Sequence, residues 1–126
     1  MNIKLCWDGY EAGIKSLVKQ IKERKMTFDG IYGVPRGGLP IAVSISHQLK
    51  LPLLLFPTKN SLVVDDISDT GETLYFTKYK FLATLFTTDW TITKPHCWVY
   101  KKLNRNDWIV FPWEEYSQTN NNGGNQ

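Results

Sequence analysis

The sequence predicts an α/β domain with a largely parallel sheet. Three observations carry this expectation. Short strand-like apolar runs alternate with helical patterns along the chain. "LPLLLF" (51–56) is continuously apolar, as a parallel strand buried on both faces would be. Two turns rich in glycine and small residues, "PRGG" (35–38) and "DISDTGET" (66–73), each close a strand pattern. In open α/β sheets, ligands bind beyond the carboxyl ends of the strands.

The elements follow in order. "NIKLCW" (2–7) is a short strand. Asp8 is positioned to cap the next helix, with Glu11 in capping-box register. Tyr10, Ile14, Leu17 and Ile21 then share one helical face. "FDGIYGV" (28–34) is a strand entering the "PRGG" turn. "LPIAVSISHQL" (39–49) is a helix with Pro40 in its first turn. "LPLLLF" is the next strand, "PTKNS" (57–61) a connection, and "LVV" (62–64) a further buried strand. "LYFTKYKFLATLF" (74–86) is expected to be a helix, although its aromatics and threonines suit strands equally well. "HCWVYKK" (96–102) and "DWIVFPW" (107–113) complete the chain before a polar segment, "SQTNNNGGNQ".

The length of 126 residues suggests one domain, expected over 1–116, with a disordered polar tail at 117–126. The formal charge of +3 comes without a basic block, so no nucleic-acid partner is expected. No charged segment followed by an apolar core opens the sequence, and no apolar run approaches the ~20 residues of a membrane span. Cys6 and Cys97 are too far apart in sequence for a metal or redox motif. A cytoplasmic protein with reduced thiols is the expectation, the cysteines acting as small buried hydrophobes. His47 and His96 are expected at the surface or in packing, and Trp113 in packing.

The chemistry lies in the two turns. "ISDTGET" follows a strand and opens a helix pattern. Small residues there let successive amides face inward, Thr70 and Thr73 add hydroxyl donors, and Gly71 permits positive φ. Such a turn suits a phosphate monoester, but it lacks the Gly-Lys-Ser/Thr of a Walker A loop. Asp65 and Asp66 beside it would repel phosphate. They make sense if they hold sugar hydroxyls or a hard cation such as Mg²⁺. In "PRGG", Arg36 offers a planar fork to phosphate oxygens, and Gly37 and Gly38 leave amides uncovered. Two anion sites flanking a sugar and a metal describe a phosphorylated ribose that also carries a diphosphate.

"LVVDDISDTGETL" (62–74) resembles the phosphoribosyl-diphosphate (PRPP) signature of type I phosphoribosyltransferases. "IYGVPRGGLPIAVSISHQL" is similar to that family's pyrophosphate loop and the helix after it. "DWIVFPW" and the opening "KLCWDGYEAGIKSLVKQI" resemble bacterial xanthine-guanine phosphoribosyltransferases, in shortened form. The resemblance implies a Rossmann-like phosphoribosyltransferase domain that transfers the 5-phosphoribosyl group from PRPP to a 6-oxopurine with Mg²⁺. It implies that Asp65 and Asp66 bind the ribose, with Asp66 on the metal side. Asp69 would be general base and a neighbour of the 5′-phosphate held by Thr70, Gly71, Glu72 and Thr73. Pro35, Arg36, Gly37 and Gly38 would hold pyrophosphate, with a cis peptide at Pro35–Arg36. Trp108 would stack on the purine, the Ile109 backbone would read its edge, and Lys101 would meet O6, with Lys102 the alternative. A homodimer or homotetramer is implied as well. The chain departs from the family in two places. "PTKNS" is too short for the mobile lid that usually precedes the PRPP strand. "KLNRND" is a short link between the lysines and Trp108. The alternatives are a PRPP- or nucleotide-binding module without turnover, and a transferase with a non-purine acceptor.

Overall fold

The computed structural model describes residues 1–114. The segment 117–126 and the last residues of the expected domain lie outside them. Strand β1 (Asn2–Lys4) leads into helix α1 (Trp7–Glu23), strand β2 (Ile31–Gly33) and helix α2 (Gly38–Leu49). Strand β3 (Leu62–Ser68), the one-turn helix α3 (Glu72–Tyr75) and strand β4 (Phe81–Thr87) come next. Strands β5 (Tyr100–Lys101) and β6 (Trp108–Val110) and a 3-10 turn (Pro112–Glu114) complete it. The main sheet has the order β2-β3-β4-β5 and is parallel throughout. β1 and β6 pair in parallel as a separate two-stranded sheet.

Period-two alternation divides the core. Leu62, Val64, Phe81, Ala83 and Leu85 join the cluster built from α1 (Tyr10, Ile14, Leu17, Ile21) and α2 (Ile41, Ala42, Ile45). Val63 and Leu82, on the opposite face, form a smaller apolar cluster with Val34 and Leu74, with Tyr32 and Tyr79 packed against it. The second face of the sheet is therefore thinly covered. Among the described residues, no helix is long and apolar enough to cross a membrane.

Three expectations are corrected. The segment 74–86 is not a helix: α3 ends at Tyr75, and Phe81–Thr87 pairs with Leu62–Ser68 as β4. All seven residues of β4 are buried, so its β-branched and aromatic residues sit where the sheet can pack both faces. "LPLLLF" is not an interior strand. It touches β2 through one bridge, Ile31 to Leu53, beside the edge strand, and leaves Leu55 and Phe56 86% and 76% exposed. Proline at positions 52 and 57 cannot donate to a ladder, which limits pairing there. Asp8 does not cap α1. The helix starts at Trp7, Cys6 is the cap with its Sγ accepting from Gly9 N (3.3 Å), and Asp8 lies in the first turn, favourable to the helix dipole. Cys6 is exposed for the same reason, whereas Cys97 is buried.

A stability measurement separates these readings. Leu85→Ala, in the core of β4, is expected to cost about 2–5 kcal/mol in urea unfolding. Leu55→Ala should stay within about 0.5 kcal/mol, whereas an interior "LPLLLF" strand would make it as costly as the first.

Candidate functional site

The two turns converge on the carboxyl end of β3. Gly33 and Val34 bring the chain to the β2–α2 turn, where Val34 N bonds Val64 O (3.0 Å) and Gly38 N bonds Val34 O (2.8 Å). α2 then starts directly against β3. A Cβ on Gly38 would lie 2.6 Å from Val64 O and 3.2 Å from Asp65 Cα, and one on Gly37 would overlap the Asp66 carboxylate. The second turn therefore lies against the first because two residues lack side chains. Arg36 is exposed in this turn, and no acid pairs with it among the described residues. The Pro35–Arg36 peptide is cis.

β3 extends past "LVV" to Ser68, so Asp65 and Asp66 are strand residues rather than part of the turn. Asp65 Oδ1 accepts from Asp66 N (2.8 Å) and Asp66 Oδ1 from Ile67 N (2.7 Å). No lysine or arginine pairs with either among the described residues. Burial pushes both carboxyls up, Asp65 to about 9, with the neighbouring charge of Asp66 adding to the effect on Asp65. Such a pair takes up a proton or a cation. Two hard oxygen donors at a solvent-reachable strand end fit Mg²⁺, which completes its shell with water and substrate oxygens. No cluster of three or more His, Cys, Asp or Glu able to hold a metal occurs among the described residues, so protein ligands alone would not suffice.

The next turn carries Asp69, Thr70 and Gly71. Gly71 has φ +81 and precedes α3. A Cβ there would overlap Thr91 Oγ1 and approach Thr93 N to 2.7 Å. α3 has one turn, so the helix-dipole part of the anion expectation shrinks, and what remains is the curled backbone of 69–73. Thr70, Glu72 and Thr73 are exposed around it. Thr93 Oγ1 donates to Gly71 O (2.6 Å), Ser68 Oγ to Thr93 O (2.7 Å), and Ile92 N to Thr70 O (2.9 Å). The segment 88–93, "TDWTIT", thus buttresses the turn. Its hydroxyl-rich run after a strand was a visible signal in the sequence that the motif reading passed over.

Asp69 is the junction of the site. Its Oδ2 receives Lys102 Nζ (2.7 Å), its Oδ1 receives Trp90 Nε1 (3.0 Å), and its backbone oxygen receives Thr88 Oγ1 (2.7 Å). Lys101 does not reach this cleft. Its Nζ pairs with Asp89 (2.8 Å) and lies over the Trp98 ring, because adjacent residues at a strand end point to opposite sides. Lys102 is the inward lysine and is buried. A cleft of about 230 Å³ is lined by Asp66, Ile67, Asp69, Lys102, Trp108 and Ile109. Trp108 is 60% exposed at its edge, and Ile109 is buried in β6 against Ile3. Trp113 packs on Phe111 and Tyr10. His96 accepts from Leu82 N through Nδ1 (2.9 Å) and stacks on Phe81. A larger hollow of about 440 Å³ between α1 and α2, lined by Trp7, Asp8, Glu11 and His47, contains none of these groups.

No protein-family model matches the chain, and no curated protein matches it by sequence. Solved structures do. It is similar to a purine phosphoribosyltransferase from Pyrococcus horikoshii, at 29% identity and TM-score 0.74, over 89% of this chain and 93% of that one. It shares its fold with the Helicobacter pylori xanthine-guanine-hypoxanthine phosphoribosyltransferase, at 20% identity and TM-score 0.78, over 94% and 97% of the two chains. A hypothetical protein from Neisseria gonorrhoeae with bound ppGpp has the fold too, at 18% identity and TM-score 0.62, over 98% and 99%. With a parallel sheet, a glycine turn abutting the paired aspartates and a curled loop beside Asp69, the chain has the fold of the type I phosphoribosyltransferases and is similar in sequence as well to the purine enzyme from Pyrococcus horikoshii.

Proposed function

We propose that the protein transfers the 5-phosphoribosyl group from PRPP to a 6-oxopurine and releases pyrophosphate. The observation that carries this reading is the Asp69–Lys102 pair inside the cleft edged by Trp108. A 6-oxopurine presents a carbonyl next to a ring nitrogen. Lys102 would donate to the carbonyl and Asp69 would accept the N–H proton, so the ligand would replace the ion pair with two complementary contacts. Trp108 offers an exposed ring for stacking, and the Ile109 backbone borders the base edge.

The remaining groups serve the donor. The amides of 69–73 and the hydroxyls of Thr70 and Thr73 would hold the 5′-phosphate. Arg36 and the amides of Arg36 and Gly37 would hold pyrophosphate, the Gly38 amide being taken by Val34 O, and Asp65 and Asp66 would hold the ribose hydroxyls. Asp66, with Asp65, would hold Mg²⁺, which when bound neutralises diphosphate charge. In the reaction the bond from C1′ to the pyrophosphate oxygen breaks with its electron pair leaving on pyrophosphate. N9 of the base bonds C1′, and the proton on N7, beside the carbonyl, passes to Asp69. Arg36 would stabilise the departing charge. A second reading, a PRPP- or nucleotide-binding module without turnover, is favoured by the 50–61 connection before β3, which is bridged to β2 at Leu53 and leaves only 54–61 to reach over the cleft. A homodimer or homotetramer in a cytoplasmic setting completes the proposal.

Adding guanine, hypoxanthine or xanthine to the protein with PRPP and Mg²⁺ should release pyrophosphate. Release with only a non-purine base would overturn the purine assignment, and binding without release would favour the second reading. Asp69→Asn should lower kcat about 10²–10⁴-fold and leave the KM for PRPP nearly unchanged. Lys102→Met should lower kcat/KM for the base at least about tenfold, the scale of a hydrogen bond from a charged group, while Lys101→Met stays within about twofold because that lysine faces Asp89. Without metal, the raised Asp65 and Asp66 carboxyls make the folded state bind more protons than the unfolded one. Stability should therefore fall as pH rises from the ordinary carboxylate range, about 4, towards about 9. Thermal melts across this range should show the slope, and Mg²⁺ with PRPP should flatten it.

A further inference from the structure

Trp90 lies in the β4–β5 connection, half-buried, and belongs to neither apolar cluster of the molecule. A tryptophan kept for packing would be in one of them. Its single donor instead goes to Asp69 Oδ1 (3.0 Å). Its ring carries Arg105, whose Cζ is 4.7 Å from the centroid, and Lys102, whose Nζ is 5.8 Å away. Lys102 also holds the other oxygen of Asp69 (2.7 Å), and Arg105 lies in the connection that delivers Trp108. The backbone around Trp90 is pinned on both sides, by Thr88 to Asp69 O and by Ile92 N to Thr70 O. One side chain thus touches the carboxylate, the buried lysine and the loop before the stacking aromatic.

We propose that Trp90 is the positioning residue of the acceptor site, its indole N–H fixing Asp69 while its ring anchors Lys102 and Arg105. This rests on the phosphoribosyltransferase reading. Lysine alone would be a poor orienter, because its ammonium sits on a flexible stem and must move to the base carbonyl. The indole is rigid. When Lys102 turns to the incoming base, Trp90 retains Oδ1, and Oδ2 is left with its lone pair facing the base N–H. The proton from the base nitrogen is therefore accepted at Oδ2. Arg105 on the same ring keeps the loop before Trp108 in register with that carboxylate.

Trp90→Phe preserves a ring for the cations and removes the N–H. We expect kcat to fall about tenfold, the scale of one charge-assisted hydrogen bond, with the KM for PRPP within about twofold and the melting temperature close to that of the unaltered protein. In ¹⁵N-labelled protein, the indole N–H resonance missing from Trp90→Phe should shift in Asp69→Asn. Unchanged kcat in Trp90→Phe overturns the proposal, and so does a kcat loss matched by a large drop in melting temperature, which signals packing. If the unaltered protein turns over no base, the phosphoribosyltransferase reading falls. The indole resonance then decides the geometry by itself: movement in Asp69→Asn supports the Trp90–Asp69 contact, and an unmoved resonance overturns it.

Discussion

The site depends on the approach of the β2–α2 turn to the end of β3. Gly37 and Gly38 sit where any side chain would strike the Asp66 carboxylate, Val64 O or the Asp65 backbone. This closeness keeps the turn that carries Arg36 at the end of β3, where the paired aspartates lie. It also draws those aspartates out of solvent with no lysine or arginine paired to them among the described residues, which raises both carboxyls. Steric exclusion at two glycines is thus converted into electrostatic appetite at two acids.

The other half of the site uses a different device. Around Asp69 the chain is held by hydroxyls and an indole from a single connection, 88–93, rather than by a long helix. Ser68, Thr91 and Thr93 are buried yet bonded to one another and to backbone oxygens, so they incur little of the penalty that unpaired polar groups would carry. Satisfied networks of this kind resist deformation. They hold the curled turn of 69–73 in one shape.

Much of this was legible in the sequence, for reasons that differ by segment. α1 could be read because Tyr10, Ile14, Leu17 and Ile21 repeat at helical spacing and are all buried. The two turns could be read as turns because glycines and small polar residues close each strand pattern, and the structure brings both to the end of β3. The segment 74–86 misled because threonines and aromatics fit either state, and only pairing with β3 decides for a strand. "LPLLLF" misled because apolar character reports a preference for cover and not its presence. Lys101 and Lys102 could not be separated because neighbouring strand residues face opposite ways, and a one-residue uncertainty in register exchanges them. Trp90 lay outside every motif, since its partner is a carboxylate distant in sequence.

The thin cover on the far side of the sheet has a consequence for how the molecule holds itself together. Val63 and Leu82 cluster there with Val34 and Leu74, and Leu74 belongs to the short stretch that follows the curled turn. Lifting that stretch would empty the turn and wet the sheet in one event. Under the proposed function, occupancy of the turn by a phosphate and protection of the β3–β4 amides from solvent exchange would then be two readouts of a single local opening, coupled by mass action.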